Sequence, residues 1–134
     1  MQQPGTPRRA AIYARVAAKQ NTEISSSQLE MQINACKAYA RKRGYTLQHV
    51  YQETAAGTKL DRPMLNALRQ AIQGHQFEVL IIQDLTRLAR GAALLAPILL
   101  ECYEAGVTIE SVQDDQKVYR MTSTKATRSK RQSS

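Results

Sequence analysis

Two repeat lengths alternate along this chain, and together they predict its elements. Ala10–Val16 is short, apolar and partly β-branched, the pattern of a buried strand, and it gives way abruptly to small and polar residues. After a loop over Ala17–Ser25, Ser27-Gln28-Leu29-Glu30 has the spacing of a capping box and predicts the start of a helix. Leu29, Ile33, Cys36 and Ala40 then form one stripe, and Gly44 stops it. Arg41, Lys42 and Arg43 fall in the last turn, where positive charge suits the helix dipole. Tyr45–Glu53 alternates as a second strand, with Leu47 and either Val50 or Tyr51 inward. Thr54–Asp61 reads as a polar loop; Asp61 is placed to cap a helix that has Pro63 in its first turn. Met64, Leu65, Leu68 and Ile72 form that helix's apolar stripe, and Gly74 ends it.

Val79-Leu80-Ile81-Ile82 is a continuous apolar run, the mark of a central parallel strand covered on both faces. Gln83–Arg90 follows as a loop, then a helix from about Gly91 to Ala105, with Pro97 implying a kink or a start near Ala96. Gly106 closes it, and Val107–Val112 makes a fourth strand. Strand and helix thus alternate, which predicts an α/β fold: a mostly parallel four-stranded sheet flanked by helices. The expected organisation is a disordered lead-in over residues 1–8, one domain over 9–114 and a flexible tail over 115–134, where no periodicity remains.

Composition narrows this little, but charge changes it. The 134 residues are 43% hydrophobic, ordinary for a globular domain. The longest apolar stretch, Ala92–Leu100, contains Pro97 and is far shorter than the ~20 residues of a membrane span. The polar opening shows no secretory signal, so a cytoplasmic setting is expected. Cys36 and Cys102 fall among apolar residues at helical spacing and read as buried thiols in a reducing compartment. The net charge is +8, and from Lys117 onward the chain holds six of the 19 basic residues and none of the 11 acidic ones. Such a balance favours polyanions, nucleic acid first, and makes Lys125, Arg128, Lys130 and Arg131 candidate DNA contacts; a tail serving only solubility is the alternative.

Arg15 is the odd residue of the first strand, a permanent cation among apolar neighbours. A buried guanidinium needs an anion, and phosphate suits its fork. In open α/β sheets ligands sit beyond the carboxyl ends of strands. The three loops there, Ala17–Ser25, Thr54–Asp61 and Gln83–Arg90, bring Arg15, Arg62, Arg87 and Arg90 toward one edge. Arginines so placed can clamp a phosphodiester. Alternatively, each is a separate surface residue with a local carboxylate such as Asp61 or Asp84.

The residues then show a likeness. Tyr13-Ala14-Arg15-Val16, Gly57 with Asp61-Arg62-Pro63-x-Leu65, and Leu85-x-Arg87-Leu88-Ala89-Arg90 resemble the catalytic domain of serine recombinases, the resolvase/invertase family. The likeness runs from about Arg9 to Asp114 and includes Gln28 and Ala35–Ala40. It implies that Arg15, Arg62, Arg87 and Arg90 correspond to the phosphate-binding and activating arginines of that family. It also implies DNA cleavage by a serine hydroxyl through a phosphoserine link, with no cofactor and no metal. Where the family places that serine this chain has Ala17, its hydroxyl neighbour is Ala18, and the acid expected before Arg87 is Thr86. An alanine cannot be a nucleophile. Ser25, Ser26, Ser27 and Thr86 are the hydroxyls nearby, with Ser27 better read as a helix cap. Glu53 aligns with an acidic position of the family and equally balances Arg15 or Arg62. His49 and His75 have no partner pattern.

The expectation is therefore a degenerate, catalytically inactive recombinase domain that binds DNA, with itself or other recombinase subunits as further partners and no membrane. An inactivated fragment of an active recombinase is the second reading. A phosphate- or nucleotide-binding α/β module is the third, although no glycine-rich phosphate loop follows the first strand.

Overall fold

A computed structural model describes residues 7–17, 22–56, 62–113 and 118–119 of the chain. Its elements are strands β1 (Arg9–Val16), β2 (Thr46–Thr54), β3 (Val79–Ile82), β4 (Thr108–Ser111) and β5 (Val118–Tyr119), with helices α1 (Thr22–Arg43), α2 (Pro63–Gln73) and α3 (Ala92–Ala105). A single 3-10 turn, Leu85–Arg87, follows β3. The strands form one sheet in the order β2-β1-β3-β4-β5. β1 to β4 are parallel, as the sequence predicts, and β5 pairs antiparallel to β4. β1 and β3, at the centre, are the strands whose sequences are apolar on both faces.

Successive strand residues feed two cores. Ala11, Tyr13, Leu80, Ile82 and Ile109 pack with Leu65, Leu68 and Ile72 of α2 and with Ile98 and Cys102 of α3. Ala10, Ile12, Val79 and Ile81 pack with Cys36, Tyr39 and Ala40 of α1 on the other face. The choice between Val50 and Tyr51 dissolves in this geometry. β2 carries an extra residue, Gln48, where the pairing steps from Ala10↔Leu47 to Ala11↔His49. That bulge puts Leu47 and Val50, three apart, on the α1 side, while Tyr51 joins the opposite core.

Several expectations are corrected. α1 begins at Thr22, not at Ser27, so Ser27 is an exposed residue inside the helix and no cap. Met64 is 38% exposed; Ala71 instead completes the buried face of α2. α2 has no side-chain cap from its N-cap residue, Arg62. Asp61, expected in that role, lies outside the described residues, as do Gly57 and Ala18. Gly74 does end α2, and the left-handed residue that follows is His75 (φ 55°), where His75 N–H and Gln76 N–H turn back to the carbonyls of Ile72 and Ala71. α3 starts at Ala92 and simply contains Pro97. Arg8 belongs to the domain, not to a disordered lead-in: its carbonyl accepts Thr46 N–H at 2.9 Å and its Nη2 donates to Thr108 Oγ1 at 3.3 Å. β5 likewise falls within the stretch read as a flexible tail.

Buried Glu110 of β4 forms no ion pair among the described residues and accepts from two phenols, Tyr39 at 2.6 Å and Tyr45 at 2.9 Å. Burial, then the bond to Glu110, raises both tyrosines above their ordinary range. Burial also pushes the Cys36 and Cys102 thiols up to about 12.

This packing can be tested at its centre and at its margin. Leu68→Ala should cost about 2–5 kcal/mol, whereas Met64→Ala should stay within about 0.5 kcal/mol, both read by urea denaturation. Both thiols should resist iodoacetamide at pH 8 in the folded chain and react once it is unfolded. Because folding raises their pKa, their contribution to stability is present below the ordinary thiol value and is lost as pH climbs toward about 12. A melting temperature unchanged between pH 8 and pH 11 would contradict this.

Candidate active site at the carboxyl edge of the sheet

The ends of β1 and β2 are locked together before any functional side chain is placed. Arg15 pairs in register with Glu53 and Val16 with Thr54, and Ala55 N–H donates to Val16 C=O at 3.0 Å. From α1, Gln32 brackets the backbone of Arg15, accepting its N–H at 3.1 Å and donating to its C=O at 3.0 Å. Gln28, singled out by the family likeness, is exposed; the inward glutamine is one turn later. Gln32 sits on the buried stripe Ser25, Gln32, Cys36, Tyr39, Ala40. Its position in that stripe is the available signal, and an apolar count passes over it.

Arg15 is only 2% exposed. Its guanidinium reaches across to two loops, donating from Nε to Arg87 C=O (2.9 Å), from Nη1 to Ala55 C=O (2.7 Å) and from Nη2 to Thr86 C=O (2.6 Å). Arg62 is fully buried. Its Nη2 donates to Leu88 C=O and, at 3.2 Å, to the Tyr13 hydroxyl, and its Nε lies 3.7 Å from Glu53 Oε1.

Glu53, at 8% exposure, is the hub of this layer. It accepts from Tyr13 Oη at 2.6 Å and from the amides of Met64 (2.9 Å) and Leu65 (3.2 Å). A carboxylate from a neighbouring strand therefore caps α2, using the open N–H groups and positive end of the helix. Burial, then the bond to Glu53, raises Tyr13 above its ordinary range and keeps it a neutral donor.

Arg87 is partly exposed. Its Nη1 donates to Arg15 C=O at 3.1 Å, and its Nε stands 3.5 Å from Asp84 Oδ2. Asp84 also caps the 3-10 turn by accepting Thr86 N–H at 3.0 Å, and it accepts the Thr86 hydroxyl. Arg90 and Ala17 are exposed at this edge. The charges of the other three reach Arg15: burial first, then Arg62, Arg87 and Arg90, lowers it below the usual arginine value.

Arg87 has its local carboxylate in Asp84, and Arg62 has one in Glu53. Among the described residues Arg15 has carbonyls and no carboxylate as partners. Of the other hydroxyls, Ser25 is buried with its Oγ unpartnered among the described residues, and Ser26 is exposed. Lys125, Arg128, Lys130 and Arg131 lie outside the described residues. His49 stacks on Tyr51 with ring centroids 4.3 Å apart. With His75 it lines a cavity of about 370 Å³ shared with Arg9, the residue that opens β1, so the histidines lie away from the arginine cluster. Among the described residues no helix is long and apolar enough to cross a membrane, and no group of His, Cys, Asp or Glu is placed to hold a metal.

Residues 10–132 match the family model described as the resolvase N-terminal domain. A resolvase of Clostridium perfringens is 35% identical over 102 residues, covering 76% of this chain and 48% of that protein. The chain thus spans about half the length of that relative. Among solved structures, the C-terminal catalytic domain of ISC1926 TnpA, an IS607-like serine recombinase, matches with a TM-score of 0.69 and 34% identity, covering 78% of this chain and 70% of that one. The N-terminal catalytic domain of TP901-1 integrase matches with a TM-score of 0.72 at 22% identity, covering 83% and 82%, a likeness of fold. The chain belongs to the resolvase family of serine recombinases.

The pairing of Arg62 with Glu53 gives a direct test. Glu53→Gln removes the carboxylate that faces the buried Arg62 guanidinium and should cost about 3 kcal/mol or more in urea denaturation. Adding Arg62→Met should recover part of that loss. A double variant as unstable as the sum of the singles would mean that the pair is not coupled.

Proposed function

We propose that this chain is a serine-recombinase domain that keeps a cationic site for the DNA backbone and does not form the covalent protein–DNA link. The observation that carries the reading is Ala17, an exposed methyl group just after β1 and two residues from Arg15, whose guanidinium feels the charges of Arg62, Arg87 and Arg90. Forming the phosphoserine link requires an oxygen that attacks phosphorus, and position 17 supplies none. The nearby hydroxyls are poor substitutes: Thr86 is engaged by Asp84, and Ser25 is buried in α1.

Arg87 and Arg90 are the accessible cations of the cluster and the groups assigned to phosphate, with Lys125, Arg128, Lys130 and Arg131 adding charge from the tail. Arg15 and Arg62 lie beneath them and add positive potential from below. DNA as partner implies an intracellular, cytoplasmic setting, and other recombinase subunits are the protein partners that this family membership supports.

The test is duplex-DNA binding by the full chain across a salt series. Affinity should fall steeply with salt, and Arg90→Ala should reduce the slope of log K against log salt by about 0.9, the share of one phosphate contact. Binding independent of salt, or saturable binding of a mononucleotide in its place, would favour the phosphate-module reading. Ala17→Ser should form no covalent adduct with DNA, since Thr86 still occupies the position of the expected acid. Ready adduct formation by that variant would instead identify the chain as an active recombinase silenced at one residue.

A further inference from the structure

Resemblance assigns Arg15 to the DNA phosphate, but its surroundings describe another task. All three nitrogens of its guanidinium already donate to peptide carbonyls, and these belong to two different segments, the end of β2 (Ala55) and the 3-10 turn (Thr86 and Arg87). The backbone of Arg15 is fixed just as firmly. Its C=O accepts from both Gln32 and Arg87, and its N–H donates to Gln32. Arg15 and Arg87 therefore exchange bonds, each side chain holding the other's carbonyl. At 2% exposure, Arg15 has almost no surface left to offer a ligand.

We infer that Arg15 is a positioning residue: it clamps the Gln83–Arg90 loop to the ends of β1 and β2, and so fixes where Arg87 and Arg90 present their charge, without itself touching DNA. The guanidinium is suited to this because its donors are fixed in one plane and point in several directions at once. An ammonium is a single point charge with one reach. Carbonyl oxygens also supply the partial negative charge that lets a cation sit among three others. The clamp rests on the geometry alone; its effect on DNA rests on the proposed DNA binding.

The experiment uses the full chain and Arg15→Lys, which keeps the charge and removes the fork. Hydrogen exchange is followed at the amides of Arg87, Leu88 and Ala89, which bond to Asp84 C=O and Leu85 C=O. These should exchange roughly tenfold or more faster in the variant, while Leu80 and Ile81 of β3 keep their protection. Unchanged exchange at the three amides overturns the clamp whether or not the chain binds DNA.

In the DNA arm, Arg15→Lys should weaken binding about as much as Arg90→Ala, and the double variant should be little weaker than either single one. Full rescue by lysine, or effects that multiply, would mean that Arg15 meets the phosphate directly. Should Arg15→Lys fail to fold, the unaltered chain decides: on adding duplex DNA the Arg15 Nε–H resonance should stay in place while that of Arg90 moves. A shift of Arg15 as large as that of Arg90 overturns the inference. Absence of DNA binding by the unaltered chain rejects the proposed DNA site, and the clamp then stands or falls on hydrogen exchange alone.

Discussion

A guanidinium removed from water must recover its hydration from the protein, and at the carboxyl edge of this sheet two of them do so side by side. They use different means. Arg15 takes three carbonyl dipoles, which carry no net charge and therefore do not neutralise it. Arg62 takes a carboxylate, one carbonyl and the hydroxyl of Tyr13. The mixture matters because the neighbouring cations lower the affinity of Arg15 for its proton. Carbonyls alone would leave the edge strongly positive inside, and carboxylates alone would leave nothing for an incoming anion. Among the described residues one buried carboxylate below, with Asp84 at the rim, leaves these four arginines a net positive edge.

Glu53 is where this electrostatic arrangement becomes architecture. The carboxylate that faces Arg62 also receives the first amides of α2 and the hydroxyl of Tyr13. The orientation of α2 is thus coupled to the charge state of the edge, and through Leu65, Leu68 and Ile72 to the larger core. Removing either partner of such a buried pair leaves the other uncompensated, which costs far more than the pair itself contributes. The base of the site and the packing of this helix are held by the same few atoms.

How much of this can be read from the chain differs by element. Parallel strands covered on both faces announce themselves, because Val79–Ile82 offers nothing polar to a solvent-facing side. The helices announce themselves by stripes, as Leu68 and Ile72 do for α2. The start of α1 is obscured because Ser27 and Glu30 mimic a capping box, while the actual beginning, near Thr22, carries only a weak local signal. Met64 misleads because a stripe is wide enough to admit a residue at its margin. Gln32, Glu53 and Glu110 are the harder cases. Their roles depend on groups 17, 40 and 71 residues away in the chain (Arg15, Tyr13 and Tyr39), and no local period encodes a hydrogen bond of that span. The bulge at Gln48 is of the same kind, a property of pairing that alternation along one strand cannot reveal.

The burial of Arg15 and Arg62 also changes what their presence means. Four arginines at the expected positions invite the conclusion that a phosphate site persists after its nucleophile has gone. Yet two of them are held by bonds that the fold itself requires, and a chain that had lost every contact with DNA would still need both to keep its loop and its helix in place. Folding alone would therefore account for keeping both, so their presence is no separate argument for a phosphate site. Arg87 serves both ends, bonded to Arg15 on one side and facing Asp84 at the rim on the other. Arg90 is exposed, and the bonds that hold the base of the site together do not include it. Of the four, the outermost arginine is thus the cleanest probe of the proposed DNA contact, because its charge has least to do with folding and its removal changes the field at this edge with the least disturbance beneath it.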